Sequence, residues 1–117
     1  MAYTLREKSF TFALRIVKLY QFLTEEKKEY VMSRQILKSG TSIGANIREG
    51  KNSQSKADFV NKYSIALKEA DETQYWIELL YAAEIMDQEA YNSLLIDINE
   101  LIALLTASIK TAKGNDK

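Results

Sequence analysis

SQSKADFVNKYSIALKEADETQYWIELLY, residues 53–81, is the longest uninterrupted amphipathic stretch of this 117-residue chain. Within it Phe59, Tyr63, Ala66, Leu67, Ala70, Ile77 and Tyr81 recur at steps of three and four, which places them on one stripe of a helix. The spacing predicts a helix over about residues 54–85 with that stripe in a core. A second apolar stripe, Ile65, Trp76, Leu79 and Ala83, lies more than a quarter turn away, flanked by Glu69 and Glu72. A helix that buries one face has no use for a second stripe. Either the core contact is wide and Trp76 lies along its edge, or the second stripe is a subunit interface, where Trp is enriched.

Upstream, Leu5, Ser9, Phe12, Ala13, Ile16, Tyr20 and Leu23 form the inner stripe of a first helix over about residues 6–24, after a loose tail at 1–4. Phe10, Leu14 and Val17 make another stripe on a different side, so this helix also carries surplus apolar surface, the usual mark of a partner. Lys8, Arg15 and Lys18 fall outside the inner stripe and are expected in solvent. The apolar-free run TEEKKE, 24–29, reads as a surface turn.

A second helix is predicted over about 30–50, with Met32, Ile36, Ser39, Ile43, Asn46 and Ile47 inward. Its centre, SGTSIGAN (39–46), consists of poor helix formers, and each interior Gly costs roughly 0.5–1 kcal/mol against Ala. Small residues let a neighbouring backbone come close. Ser42, Asn46 and Glu49 then need hydrogen-bond partners, the third helix being one place to find them, and Glu69 joins them as a polar bundle contact. The competing reading is a phosphate loop, but GANIREGKN has five residues between Gly44 and Gly50 where that loop needs four, Asn52 in the hydroxyl position and no preceding strand. Downstream, Ser53 or Ser55 caps the third helix and Asp87 caps the fourth. Tyr91, Leu94, Leu95, Ile98, Leu101, Ile102, Leu105 and Ile109 give the fourth helix, about 88–112, a broad inner face, before the polar tail GNDK.

Four helices with short links define an all-α fold, an antiparallel up-down-up-down four-helix bundle in one domain over residues 1–117. The composition agrees: there is no proline, and only four glycines punctuate the chain. With no cysteine and no histidine, the usual zinc and di-iron ligand sets, thiol nucleophiles and imidazole acid-base chemistry are gone, so neither a metal nor a cofactor is expected. The N-terminus lacks the order of a signal peptide, and the most apolar run is interrupted by Asp97 and Glu100, which predicts a soluble, cytoplasmic protein. Formal net charge is zero, yet residues 1–56 hold 11 Lys/Arg against 5 Asp/Glu and residues 57–117 hold 5 against 11. Such asymmetry suits a nucleic-acid surface, a basic face of one subunit meeting an acidic face of the next, or pairing between helices of one chain.

QILKSGTSIGANIREG (35–50) and SKADFVNKYSIALKEADETQYWIELL (55–80) together resemble the four-helix bundle proteins known as 23S rRNA intervening sequence proteins, some of them labelled S23 ribosomal proteins. The resemblance covers nearly the whole chain. It implies a small bacterial protein, a left-handed antiparallel bundle and a homopentameric ring. The family's biochemical role is largely uncharacterised; some members are encoded within insertions in rRNA genes, and a related group resembles accessory factors of diversity-generating retroelements that bind nucleic acid through a basic ring surface. This chain departs from that group in having no net positive charge, on which affinity for phosphate backbones rests. Ser42, Asn46, Glu49 and Glu69 match the family pattern.

Three functional readings follow. The first is a non-enzymatic homo-oligomeric scaffold, pentameric if the resemblance holds, in which Phe10, Leu14 and Val17 of one subunit meet Ile65, Trp76 and Leu79 of another. The second is an RNA- or DNA-binding ring using Arg15, Lys18, Arg34, Lys38, Arg48 and Lys51. Third comes an enzyme using Glu49, Glu69 and Glu72 as a carboxylate cluster, for acid-base work or a hard cation.

Overall fold

The computed structural model describes residues 4–114; residues 1–3 and 115–117, which include most of both expected tails, lie outside the described residues. Four helices follow in order, α1 (Leu5–Glu25), α2 (Met32–Lys51), α3 (Lys56–Ala82) and α4 (Gln88–Gly114), with no strand among the described residues. The expected all-α bundle is therefore present, with helix ends within three residues of the sequence reading.

Local chemistry explains each end. Thr4, expected in a loose tail, closes a capping box: its hydroxyl accepts from the Glu7 amide at 3.1 Å while its own amide donates to Glu7 Oε1 at 3.0 Å. The TEEKKE segment is more than a linker, because the Glu29 carboxylate accepts from the amides of Val31, Met32 and Ser33 and so satisfies three orphan donors at the start of α2. Of the two serines proposed to cap α3, Ser55 does so, accepting from the Asp58 amide. Asp87 accepts from the Ala90 amide at 2.8 Å, as expected for α4. Between α3 and α4 the chain reverses through Glu84 at φ 63°, with Ile85 N bonded to Leu80 O and Glu84 N to Tyr81 O, a Schellman turn with glutamate where glycine is usual.

The buried rows step by three and four. On α2 they are Ser33, Ile36, Gly40, Ile43, Ile47 and Gly50, with Ser39 beside them, and on α3 Tyr63, Ala66, Ala70, Thr73, Ile77 and Leu80. Ser9, Phe12, Ile16 and Leu23 of α1 and Leu94, Ile98, Leu101 and Leu105 of α4 complete the core. Gly40 would put a Cβ 2.8 Å from Ile16 Cγ1, so a side chain there would push α1 off α2. At the far end of α2, Gly50 leaves room for the Tyr63 ring in the same way.

Contacts descend along one helix as they ascend the next. Gly40 faces Ile16 and Gly44 faces Ser9 between α1 and α2; Ser39 meets Thr73 and Glu49 meets Lys62 between α2 and α3. Gln74 meets Asn99 and Tyr81 stacks on Tyr91 between α3 and α4. Consecutive helices thus run in opposite directions. The α1–α4 seam is the loosest of the four, bridged by Lys8–Glu100 at 3.1 Å and Arg15–Asp97 at 2.6 Å. α4 is apolar and long enough to cross a bilayer by composition alone, yet its inner row fills the core and both interrupting acids are paired with α1.

Candidate interaction surfaces

The stripe Phe10, Leu14, Val17 emerges because α1 buries the row through Phe12 and Ile16 and must turn the adjacent row outward. Phe10 is 61% exposed and Leu14 50%, while Val17 is half-buried. Phe10 forms one wall of an open groove of about 460 Å³ between α1 and α2, floored by Ser9, Ala13, Gly44 and Ala45. Small residues bring the backbones close there and leave the depression. The Arg48 guanidinium stands 6.0 Å from the centroid of the Phe10 ring, within the range of cation–π attraction.

On α3, Ile65, Trp76 and Leu79 are each half-buried. Trp76 packs against the core, donates from Nε1 to Glu72 at 3.1 Å and meets the exposed Tyr75 edge-on at 5.0 Å. One side of Trp76 lies along the core edge, as the wide-contact reading of the stripe expects, and its polar tip remains at the surface. Glu69, about two helical turns before Trp76, has its carboxyl pushed up, first by burial and then by the like charge of Glu72, with Lys38 and Lys68 pulling the other way.

The six basic residues do not form one strip. Arg15, expected in solvent, pairs with Asp97 and also donates to the Ser93 hydroxyl at 3.0 Å. With Lys18 it borders a groove of about 940 Å³ between α1 and the α3–α4 turn, whose apolar floor includes Leu19, Phe22 and Met86. Arg48 belongs to the α1–α2 groove, Lys38 lies near Glu69 on the α3 side, and Arg34 and Lys51 are exposed on α2. Lys8 pairs with Glu100 rather than standing in solvent.

Residues 39–50 lie inside one continuous helix, which overturns the phosphate-loop alternative. The polar contacts differ from expectation in their partners. The Ser42 hydroxyl donates to the Lys38 carbonyl and the Asn46 amide to the Ser42 carbonyl, both on their own helix, and only Glu49 reaches α3, pairing with Lys62 at 3.0 Å. The contact that does cross between helices in the core joins Ser39 Oγ and Thr73 Oγ1 at 2.9 Å. Thr73 Oγ1 also lies 2.7 Å from the Glu69 carbonyl; its single proton serves that bond, so the Ser39 hydroxyl donates across the interface. The signal was available, since Thr73 sits between Ala70 and Ile77 on the inner stripe and a polar residue there needs a partner.

Glu49, Glu69 and Glu72 do not converge. Glu49 faces Lys62, and Glu69 lies seven residues further along α3, about 10 Å away along the axis. No group of three acidic or other ligand-type residues arranged to hold a metal occurs among the described residues.

Fold and surface together define a class: a helical bundle whose unusual features are exposed apolar stripes rather than a cleft of reactive groups. The family described as 23S rRNA-intervening sequence protein matches residues 2–107, and the chain belongs to that family. A crystal structure of a protein of unknown function from the S23 ribosomal protein family of Bacteroides thetaiotaomicron is similar to this chain, with 57% identity and a TM-score of 0.89, over 91% of this chain and 95% of that one. Among curated proteins none matches.

Proposed function

We propose that this protein is a non-enzymatic scaffold or accessory protein of the bacterial cytoplasm that works as a homo-oligomer, with five subunits as the family resemblance implies. The observation that carries the reading is the α1 stripe: Phe10 and Leu14 stand side by side with half or more of their surface in solvent. Contiguous exposed apolar surface marks interaction sites when it is large enough and rimmed by polar residues. The half-buried Ile65, Trp76 and Leu79 supply a receiving surface on another copy. Trp76→Glu places a charge in the centre of that contact, and sedimentation velocity should then show monomers; an oligomer unchanged by the substitution removes Trp76 from the interface.

A second reading, nucleic-acid binding, draws support from Arg34, Lys38, Arg48 and Lys51, all exposed on α2. Lysine and arginine contacts to phosphate make affinity fall steeply with salt. Gel shift of a structured RNA at low ionic strength, lost as salt rises and weakened by Arg34→Ala with Lys38→Ala, supports it; no shift at low salt eliminates it.

A further inference from the structure

Two aromatic side chains on this surface each carry one charged partner, and the charges are opposite. Arg48 stands over Phe10, and Glu72 accepts from the Trp76 indole. Neither charge has an oppositely charged salt-bridge partner among the described residues. The neighbouring charges are otherwise engaged: Glu49 beside Arg48 is turned to Lys62, while Lys38 and Lys68 act on Glu69. Each aromatic is thus held beside a solvent-exposed charge that no salt bridge within the described residues engages.

We infer that the partner of the Phe10–Arg48 corner is the Trp76–Glu72 corner of a second copy of this chain, with Arg48 pairing to Glu72 across the contact and the two aromatic rings packed beside it. The inference rests on the self-association reading and adds the charge pair that sets which face meets which. Chemistry and chain asymmetry agree, since the Phe10 corner lies in the basic half of the sequence and the Trp76 corner in the acidic half. Among the described residues no contact joins the two corners within one chain, so the pairing is made between copies, each offering its Phe10 corner to a Trp76 corner of another. Opposite charges across an interface fix orientation and reject like-with-like docking. Arg48 is then an interface residue and is withdrawn from any phosphate contact.

The test is a charge exchange read by sedimentation and by Trp76 fluorescence, Trp76 being the sole tryptophan. Arg48→Glu and Glu72→Arg should each raise the dissociation midpoint on the order of tenfold or more, as close interfacial charge pairs do. The double variant, with the pair reversed, should assemble again, and its indole emission should shift on dilution as the wild type's does. Both sites are exposed, so circular dichroism should show an unchanged helix content, and Arg48→Lys should retain assembly. Singles that assemble like the wild type, or singles that dissociate with no recovery in the double, overturn the pairing while leaving self-association standing. A wild-type chain that stays monomeric overturns both.

Discussion

Gly40 and Gly44 are one helical turn apart on α2, and alanine should act on them in opposite directions. In either place the substitution removes a helix-interior glycine and so gains about 0.5–1 kcal/mol of helix preference. At Gly40 the new Cβ meets Ile16 Cγ1 at 2.8 Å and Cγ2 at 2.9 Å. Ile16 is fully buried and β-branched, so its χ1 is confined and it has nowhere to turn. Relief requires separating α1 from α2, and overpacking of this kind costs about 1–3 kcal/mol. The net loss is up to roughly 2.5 kcal/mol, a Tm lower by up to roughly 10 °C in a domain of this size. At Gly44 the nearest atom is Ser9 Oγ at 3.3 Å, and a small displacement of that hydroxyl absorbs the methyl. Gly44→Ala should therefore be neutral or stabilising by up to about 1 kcal/mol. Thermal unfolding followed by circular dichroism at one fixed protein concentration measures both, since assembly makes Tm concentration-dependent. A cycle with Ile16→Ala isolates the clash: the double variant should be more stable than the two single losses predict by on the order of 1 kcal/mol. Equal shifts at Gly40 and Gly44, or a stabilised Gly40→Ala, would refute the close-approach account.

Three further outcomes follow from single contacts. Thr73→Val leaves the buried Ser39 hydroxyl only its long 3.5 Å contact with the Ile36 carbonyl and should cost about 1–3 kcal/mol, whereas adding Ser39→Ala should recover most of the loss, because removing both partners is far cheaper than removing one; urea midpoints distinguish the two. At Glu29 burial raises the carboxyl pKa but the hydrogen bonds from Met32, Ser33 and Val31 outweigh it, leaving the folded value below the ordinary 4.5. Its stabilisation is therefore complete above the unfolded pKa and disappears as pH falls through the lower folded value. Glu29→Gln should flatten the acid limb of stability below the ordinary carboxylate range, and Glu29→Ala should cost about 0.5–2 kcal/mol at neutral pH, the range for lost helix caps. Glu84→Gly relieves a left-handed backbone conformation that is costly with a side chain and should raise stability by roughly 0.5–1 kcal/mol, visible as a higher Tm.

The helix count and most of the core were legible because apolar spacing alone reports them. Errors arose where spacing is silent. Leu67 and Tyr81 lie on the broad apolar arc of α3 without being fully buried, while Thr73 and Leu80 complete its three-and-four stepping, the first disguised by its hydroxyl and the second by the equally apolar Leu79 beside it. Thr4 with Glu7 was a readable capping box, obscured by its place at the chain's start. Glu29 was hidden in a charged run, since its role depends on a turn that folds it back onto amides two to four residues ahead. Serine and asparagine partners on α2 could not be assigned from pattern, because a helix carbonyl one turn back competes with a neighbouring helix for the same donor. On the surface, sequence could name exposed apolar residues but not group the charges. Arg15 is engaged with Asp97 and Arg48 with Phe10, and only the helix packing reveals that those two arginines belong to different grooves.

Light scattering from the wild-type protein during gel filtration, over a wide concentration range, addresses the self-association claim most directly. A mass several times the 13.4 kDa of one chain, falling toward it only on dilution, is the predicted result. A mass of one chain at every concentration would mean that Phe10, Leu14 and the Trp76 edge are simply solvated, and would contradict the account.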